Sequence, residues 1–167
     1  MDVEIHPNFS FNNHSGFLPF KFTFNEHRFN FLKNKQLLSG FELYINDFEL
    51  TKETSTLINP NFFQKLIGKR KDNRYFESKQ IDAILKNCHK QITFNFSSST
   101  DSFEARFAIL TSAIITELTD GLYNYPADNI WYTANDLVEK SYEEVREFEN
   151  TLIEENITFH EFKEWVG

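Results

Sequence analysis

The sequence predicts an α+β fold in which an antiparallel or mixed sheet of four to six strands packs against two main helices and several shorter ones. Short segments alternate apolar and polar residues, as half-buried strands do, and two longer segments repeat apolar residues at intervals of three and four, as amphipathic helices do. The chain of 167 residues also contains 20 Phe, enough apolar side chain to fill one core at this length. We therefore expect residues 1–167 to form one globular domain, with residues 1–16 as a loose lead-in.

Three segments have the period of two that is typical of strands. They span residues 17–24, 41–50 and 91–97. The face predicted to be buried in the first of them comprises Leu18, Phe20, Phe22 and Phe24. Two shorter extended pieces, at 122–125 and 130–132, flank a polar turn, and residues 26–38 fit either a short helix or another strand.

Three short helices are predicted from their boundary signals. Asn59 and Pro60 begin one that ends near Gly68, because proline is favoured at the first helical position. Ser78 caps a second, which extends through Cys88. A third spans residues 158–166 and carries Phe159, Phe162 and Trp165.

The first main helix is predicted over residues 101–119. Asp101 and Glu104 have nearly the spacing of a capping box. The stripe predicted to face the core comprises Phe103, Phe107, Leu110, Ile114 and Leu118. We expect Gly121 to end the helix in the left-handed conformation, and Arg106 to form an ion pair with a glutamate at helical spacing.

The second main helix is predicted over residues 134–155, opened by Thr133 and Asp136. Its inward positions are Val138, Tyr142, Val145, Phe148 and Leu152. A separate face carries Glu139, Glu143, Glu147, Asn150 and Glu154. This second face is the largest surface of a single charge sign that the sequence predicts.

The sequence contains no recognisable catalytic or ligand-binding signature. The five histidines lack metal-ligand spacing, and the glycines are too isolated for a phosphate-binding loop. Cys88 and His89 are adjacent, so on a helix their side chains point about 100° apart and do not form a nucleophile–base pair. We expect no catalytic residue, no cofactor and no metal site. A small hydrolase built around Asp120, His160 and the C-terminal acids remains as a third hypothesis.

Charge is distributed unevenly along the chain, which has a net charge of -8. Residues 65–90 contain eight basic and three acidic side chains, whereas residues 117–167 contain thirteen acidic and three basic ones. A surface of one sign speeds and orients the approach of a partner of the opposite sign. The acidic C-terminal part therefore favours a basic protein partner and disfavours nucleic acid, whose phosphates require a basic surface.

Three features of the sequence bear on the cellular compartment. One cysteine excludes an internal disulfide, the N-terminus lacks a basic start followed by an apolar run, and the segment 107–118 is too short and polar to span a bilayer. We expect a cytoplasmic protein without a membrane partner.

A family resemblance adds to this interpretation. Residues 106–110 together with 114–126 resemble a helix-to-strand segment of small bacterial immunity proteins from contact-dependent inhibition and other polymorphic toxin systems. The segment covers about a fifth of the chain. The resemblance implies a non-catalytic protein whose partner is a toxin domain delivered by a neighbouring cell. RNases and other nucleases are common among such toxins.

The leading hypothesis is thus an immunity protein that binds and neutralises a cognate toxin domain, with an RNase as the favoured kind, by covering its basic active-site surface. The alternative is a regulatory or scaffold module that binds an endogenous protein. Aromatic residues and desolvated charges usually dominate binding energy. The residues predicted to bind the partner are Asp128, Trp131, Asp136, Glu139, Glu143, Glu147, Glu154 and Trp165.

Overall fold

The computed structural model describes residues 1–10, 15–50, 78–97, 100–125 and 130–165. Within them the predicted α+β fold is confirmed. The elements are β1 (Asp2–Ile5), β2 (Ser15–Thr23), β3 (Gln36–Asp47), α1 (Lys79–Leu85), β4 (Lys90–Asn95), α2 (Glu104–Leu118), β5 (Leu122–Tyr125), β6 (Ile130–Thr133), α3 (Leu137–Thr151) and β7 (His160–Glu161). The helix predicted from Asn59 and Pro60 lies outside the described residues.

Among the described residues the larger sheet has five strands, and each of its pairings is antiparallel. Its order is β1-β2-β3-β4, and β7 also pairs with β3. Because β2 occupies one side of β3 along residues 36–44, β4 and β7 share the other side, β4 at 42–47 and β7 at 37–38. The smaller sheet consists of β5 and β6.

The core lies between the larger sheet and α2. The predicted inward face of β2 is confirmed, since Leu18, Phe20, Phe22 and Phe24 are all buried. Phe20 stacks on Phe107 of α2 with ring centroids 4.9 Å apart, and Phe22 meets the same ring edge-on at 5.0 Å. The alternating phenylalanines of the sheet therefore form the packing surface for α2.

The predicted apolar stripe of α2 is correct at its N-terminal end and wrong at its C-terminal end. Phe103 and Phe107 are buried, but the side chains of Ile114 and Leu118 are 45% and 80% exposed. Small residues take the buried positions instead, because they allow the helix backbone to approach its neighbours closely. The buried face of α2 consists of Ala105, Phe107, Ala108, Ile109, Ser112, Ala113 and Thr116.

The start of α2 also differs from the expected capping box. The helix begins at Glu104, with Phe103 as the residue before it. Asp101 is buried in the preceding turn, where its Oδ1 accepts a hydrogen bond from the Phe103 N–H at 2.8 Å. Glu104 accepts from the Ser97 N–H at 2.6 Å and so links the helix to the segment after β4.

The helix α3 packs mainly against α2 and is shorter at both ends than the predicted 134–155. Val145 is buried between Ala105 and Ile109 of α2. Tyr142, which the sequence predicts to face inward, is 52% exposed. The prediction at Tyr142 is wrong because Leu137, Ser141 and Val145 form the buried face.

Two other segments differ from the sequence prediction. The helix predicted over 158–166 is wrong, because β7 pairs there with β3 and the Phe162 N–H donates to the Gln36 carbonyl at 2.9 Å. Residues 26–38 contain a short 3-10 turn, Asn30–Leu32, before β3 begins. The lead-in contributes an unpredicted strand, since β1 pairs with β2. None of the described helices has the length and apolar character needed to cross a lipid bilayer.

Candidate partner-binding site

The helices α2 and α3 lie antiparallel and are joined by polar contacts at both ends of their interface. At one end Arg106 donates to both carboxylate oxygens of Glu149, with Nε–Oε1 at 2.6 Å and Nη2–Oε2 at 2.5 Å. At the other end Glu117 Oε1 accepts from the Val138 N–H at 2.8 Å. Arg106 therefore forms the expected ion pair, but with a glutamate of the other helix and not at helical spacing.

A groove, which we call the α2–α3 groove, runs along the surface between the two helices beside the second of these contacts. It has a volume of about 900 Å³. Its lining residues are Leu110, Ile114, Glu117, Asp120, Ala134, Asn135, Asp136, Val138, Glu139 and Tyr142. Ile114 and Tyr142 give it an exposed apolar floor, and Leu118 extends the apolar surface from α2.

One end of the α2–α3 groove is acidic. Asp120, Asp136 and Glu139 line it and are exposed. None of these three carboxylates forms an ion pair with a cation in the described part of the chain. Their field is therefore directed toward solvent and is available to a basic partner.

Two of these acids have an unfavourable backbone conformation. Asp120 and Asp136 have φ angles of 48° and 58°, in the left-handed region. Asp120 follows the C-terminus of α2, where a carboxylate also opposes the helix dipole. The expectation that Gly121 takes the left-handed position is wrong, because the Gly121 N–H donates to the Thr116 carbonyl at 2.9 Å and places Asp120 there.

The outer glutamates of α3 form a second acidic surface beside the groove. Glu143 and Glu147 continue the stripe begun by Glu139, and Glu154 follows after the helix has ended. All four are exposed, and within the described ranges none pairs with a basic side chain. Five of the acidic residues predicted to bind the partner, Asp136 and these four glutamates, therefore lie on α3 or at its ends.

The two predicted tryptophans lie elsewhere. Trp131, on β6, is half-buried and lines a smaller pocket of about 290 Å³ together with Thr133 and Leu137. Trp165 is half-buried, and its ring contacts the rings of His6 and Phe162 at centroid distances of 5.1 and 5.0 Å. Trp165 therefore packs within the fold, and neither it nor the two rings that it contacts line the groove. Asp128 lies outside the described residues.

The apolar part of the site differs from the sequence prediction. The periodicity predicts that Ile114, Leu118 and Tyr142 face the core, but all three are exposed. A signal for this exists in α2, where small residues recur at helical spacing at 105, 108, 112 and 113. The helix α2 thus has two faces that could be buried. Because the face with small residues packs in the core, the face with large apolar side chains is left for another contact.

Arg28 holds the far end of α3. Its guanidinium donates to the backbone carbonyls of Glu149 and Leu152, and to that of Asn150 at 3.2 Å. These carbonyls belong to the last turn of the helix, where carbonyl groups have no N–H partner within the helix. Arg28 therefore fixes the C-terminus of α3 and, with it, the position of Glu149 beside Arg106.

The residues of the hydrolase hypothesis lie in different elements. Asp120 lines the α2–α3 groove, whereas His160 lies on β7 in the larger sheet and does not line that groove. Burial raises the pKa of the Cys88 thiol, which lowers its nucleophilic thiolate fraction. The described residues include no group of three or more His, Cys, Asp or Glu placed to hold a metal ion.

Comparison with known proteins gives no match. The chain matches no family model, no curated protein and no solved structure.

Proposed function

We propose that this protein is an immunity-type inhibitor that binds a cognate bacterial toxin domain in the cytoplasm and neutralises it. The observation that carries the proposal is the acidic surface of α3, where Asp136, Glu139, Glu143 and Glu147 are exposed without basic partners among the described residues. Maintaining such a surface costs repulsion within the fold, and a basic partner would relieve it.

A nuclease is the toxin class that fits this surface. Nuclease active sites are basic because their substrates are polyanions. Carboxylates on a rigid helix can occupy the positions of substrate phosphates, and the family resemblance of residues 106–110 and 114–126 favours an RNase in particular. The inhibitor contributes no chemistry in this scheme, since covering the active-site surface is sufficient.

The proposal is tested with the product of the gene adjacent and upstream. That protein is expressed alone and with the inhibitor, and growth and binding are measured. We expect growth rescue and sub-micromolar affinity, with an association rate that falls steeply as salt is added, because charge steering is screened within about 10 Å at 0.1 M ionic strength.

Matched charge variants show whether α3 is responsible. The double variant Glu143→Gln, Glu147→Gln should slow association about tenfold or more. The control Asp2→Asn, Glu26→Gln removes the same charge from exposed positions distant in the sequence and should leave the rate nearly unchanged. Absence of binding and of growth rescue would reject the proposal and favour a scaffold module with an endogenous partner.

A further inference from the structure

The most informative feature beyond the acidic surface is the exposed apolar floor of the α2–α3 groove. Ile114 and Tyr142 are 45% and 52% exposed, and Leu118, one turn beyond Ile114, is 80% exposed. Isolated apolar side chains on a surface need no explanation, but a contiguous apolar patch with a polar rim marks a binding surface. The acidic surface of α3 does not account for the exposure of these apolar side chains.

The groove has the dimensions of a site for a short helix. On the α2 side its lining residues extend from Leu110 to Asp120, which are ten positions apart, or about 15 Å along a helix axis. This length corresponds to about three helical turns. A helix lying in such a groove presents apolar anchors at intervals of three and four residues.

The charge at one end of the groove indicates which end of the occupant is basic. Asp120, Asp136 and Glu139 make one end acidic. The other end is lined by Leu110 and Tyr142, which carry no charge. A partner helix with lysines or arginines at one end and apolar residues along one face is complementary to both features.

We infer that the α2–α3 groove binds an amphipathic helix of the partner, with its apolar face on Ile114 and Tyr142 and its basic end against Asp120, Asp136 and Glu139. This inference rests on the proposed function for the identity of the partner, although the groove can be tested without it. It places the centre of the interface in the groove, with the outer glutamates of α3 acting at the rim.

The test uses a fluorescein-labelled 14-residue peptide with leucines at helical spacing on one face and lysines at one end. Two control peptides replace the lysines by glutamates or the leucines by serines. Fluorescence anisotropy with the full chain should show saturable binding of the lysine peptide, and affinity at least about tenfold lower for each control, because each removes one of the two complementary features.

Matched variants of the protein locate the bound peptide. Ile114→Ser lies in the groove, whereas Ile153→Ser changes an equally exposed isoleucine, 54% accessible, beyond the end of α3. Glu139→Gln and Glu154→Gln form the corresponding charge pair, inside and outside the groove. We expect about a tenfold loss of affinity for each groove variant and less than about twofold for each control. Urea midpoints equal to that of the wild type show that folding is retained.

The outcomes separate this inference from the proposed function. No saturable binding of the lysine peptide, or equal effects of Ile114→Ser and Ile153→Ser, overturns the groove. If the toxin domain binds but is insensitive to Ile114→Ser, the proposed function stands and the groove is rejected. If the lysine peptide binds in the groove but no toxin is neutralised, the groove stands and the immunity function is rejected.

Discussion

The backbone conformation of Asp120 predicts that replacing this residue raises the stability of the protein and weakens binding at the groove. Asp120 occupies the position after the C-terminus of α2 with φ 48°. Glycine is the usual residue there, because it adopts the left-handed region without a penalty. Asp120→Gly should therefore stabilise the protein, although it removes a carboxylate from the acidic end of the α2–α3 groove.

The magnitude follows from two contributions. Relief of the left-handed conformation is worth up to about 1 kcal/mol for an aspartate, which tolerates this region better than most residues. Removal of a negative charge from a helix C-terminus adds about 0.3–1 kcal/mol. We expect a gain of about 1 kcal/mol in the free energy of unfolding, which corresponds to a rise of about 2–4 °C in Tm at this chain length.

Two further variants separate the contributions. Asp120→Asn keeps tolerance of the left-handed region and removes the charge, so it should recover about 0.5 kcal/mol. Asp136→Gly relieves a similar φ of 58° but removes a favourable carboxylate from the N-terminus of α3, so its net effect should be near zero.

The measurement is urea unfolding followed by circular dichroism, with equal m-values as the check that only stability has changed. A variant Asp120→Gly no more stable than the wild type would refute the reasoning, as would a larger gain for Asp136→Gly. The same Asp120→Gly protein should bind the lysine peptide more weakly than the wild type.

Three other substitutions test the packing of the fold. Burial raises the pKa of Asp101, so the stability associated with its protonated form is complete below its ordinary pKa and is lost as the pH rises through the raised value. Asp101→Asn keeps the acceptor for the Phe103 N–H and should gain stability relative to the wild type in urea titrations as the pH rises above the ordinary Asp pKa of about 4. Gly40→Ala should destabilise by about 1–3 kcal/mol in the same assay, because a Cβ there would overlap the Leu18 carbonyl oxygen of β2. Arg106→Met should cost about 1–3 kcal/mol by leaving the half-buried carboxylate of Glu149 unpaired, and a double-mutant cycle with Glu149→Gln should recover part of this loss.

Much of the fold is predictable because its signals are local. The alternation of Leu18, Phe20 and Phe22 identifies the inward face of β2 correctly, since successive side chains of any strand point to opposite sides. Ser78 is confirmed as the cap of α1, where its hydroxyl accepts from the Ile81 N–H at 3.5 Å. The glutamates on the predicted polar face of α3, Glu139, Glu143 and Glu147, are exposed as expected, because a charged face of a helix rarely becomes buried.

The candidate site is less predictable because it depends on which of two faces each helix buries. Periodicity assigns Ile114 and Tyr142 to the core as readily as it assigns Phe107. The outcome is decided by close packing of Ala105, Ile109 and Val145, which brings α2 and α3 together and leaves the larger side chains outside. No pattern within one helix contains that information.

The sequence by itself determined the fold class, the inward face of the sheet and the acidic character of α3, because each follows from the spacing of residues along one element. The tertiary structure alone decided the partner of Arg106, the exposed groove between α2 and α3, and the strand β7 in place of a helix. These features depend on contacts between residues distant in the chain. The residues that form these contacts meet only when the helices and strands have packed against one another.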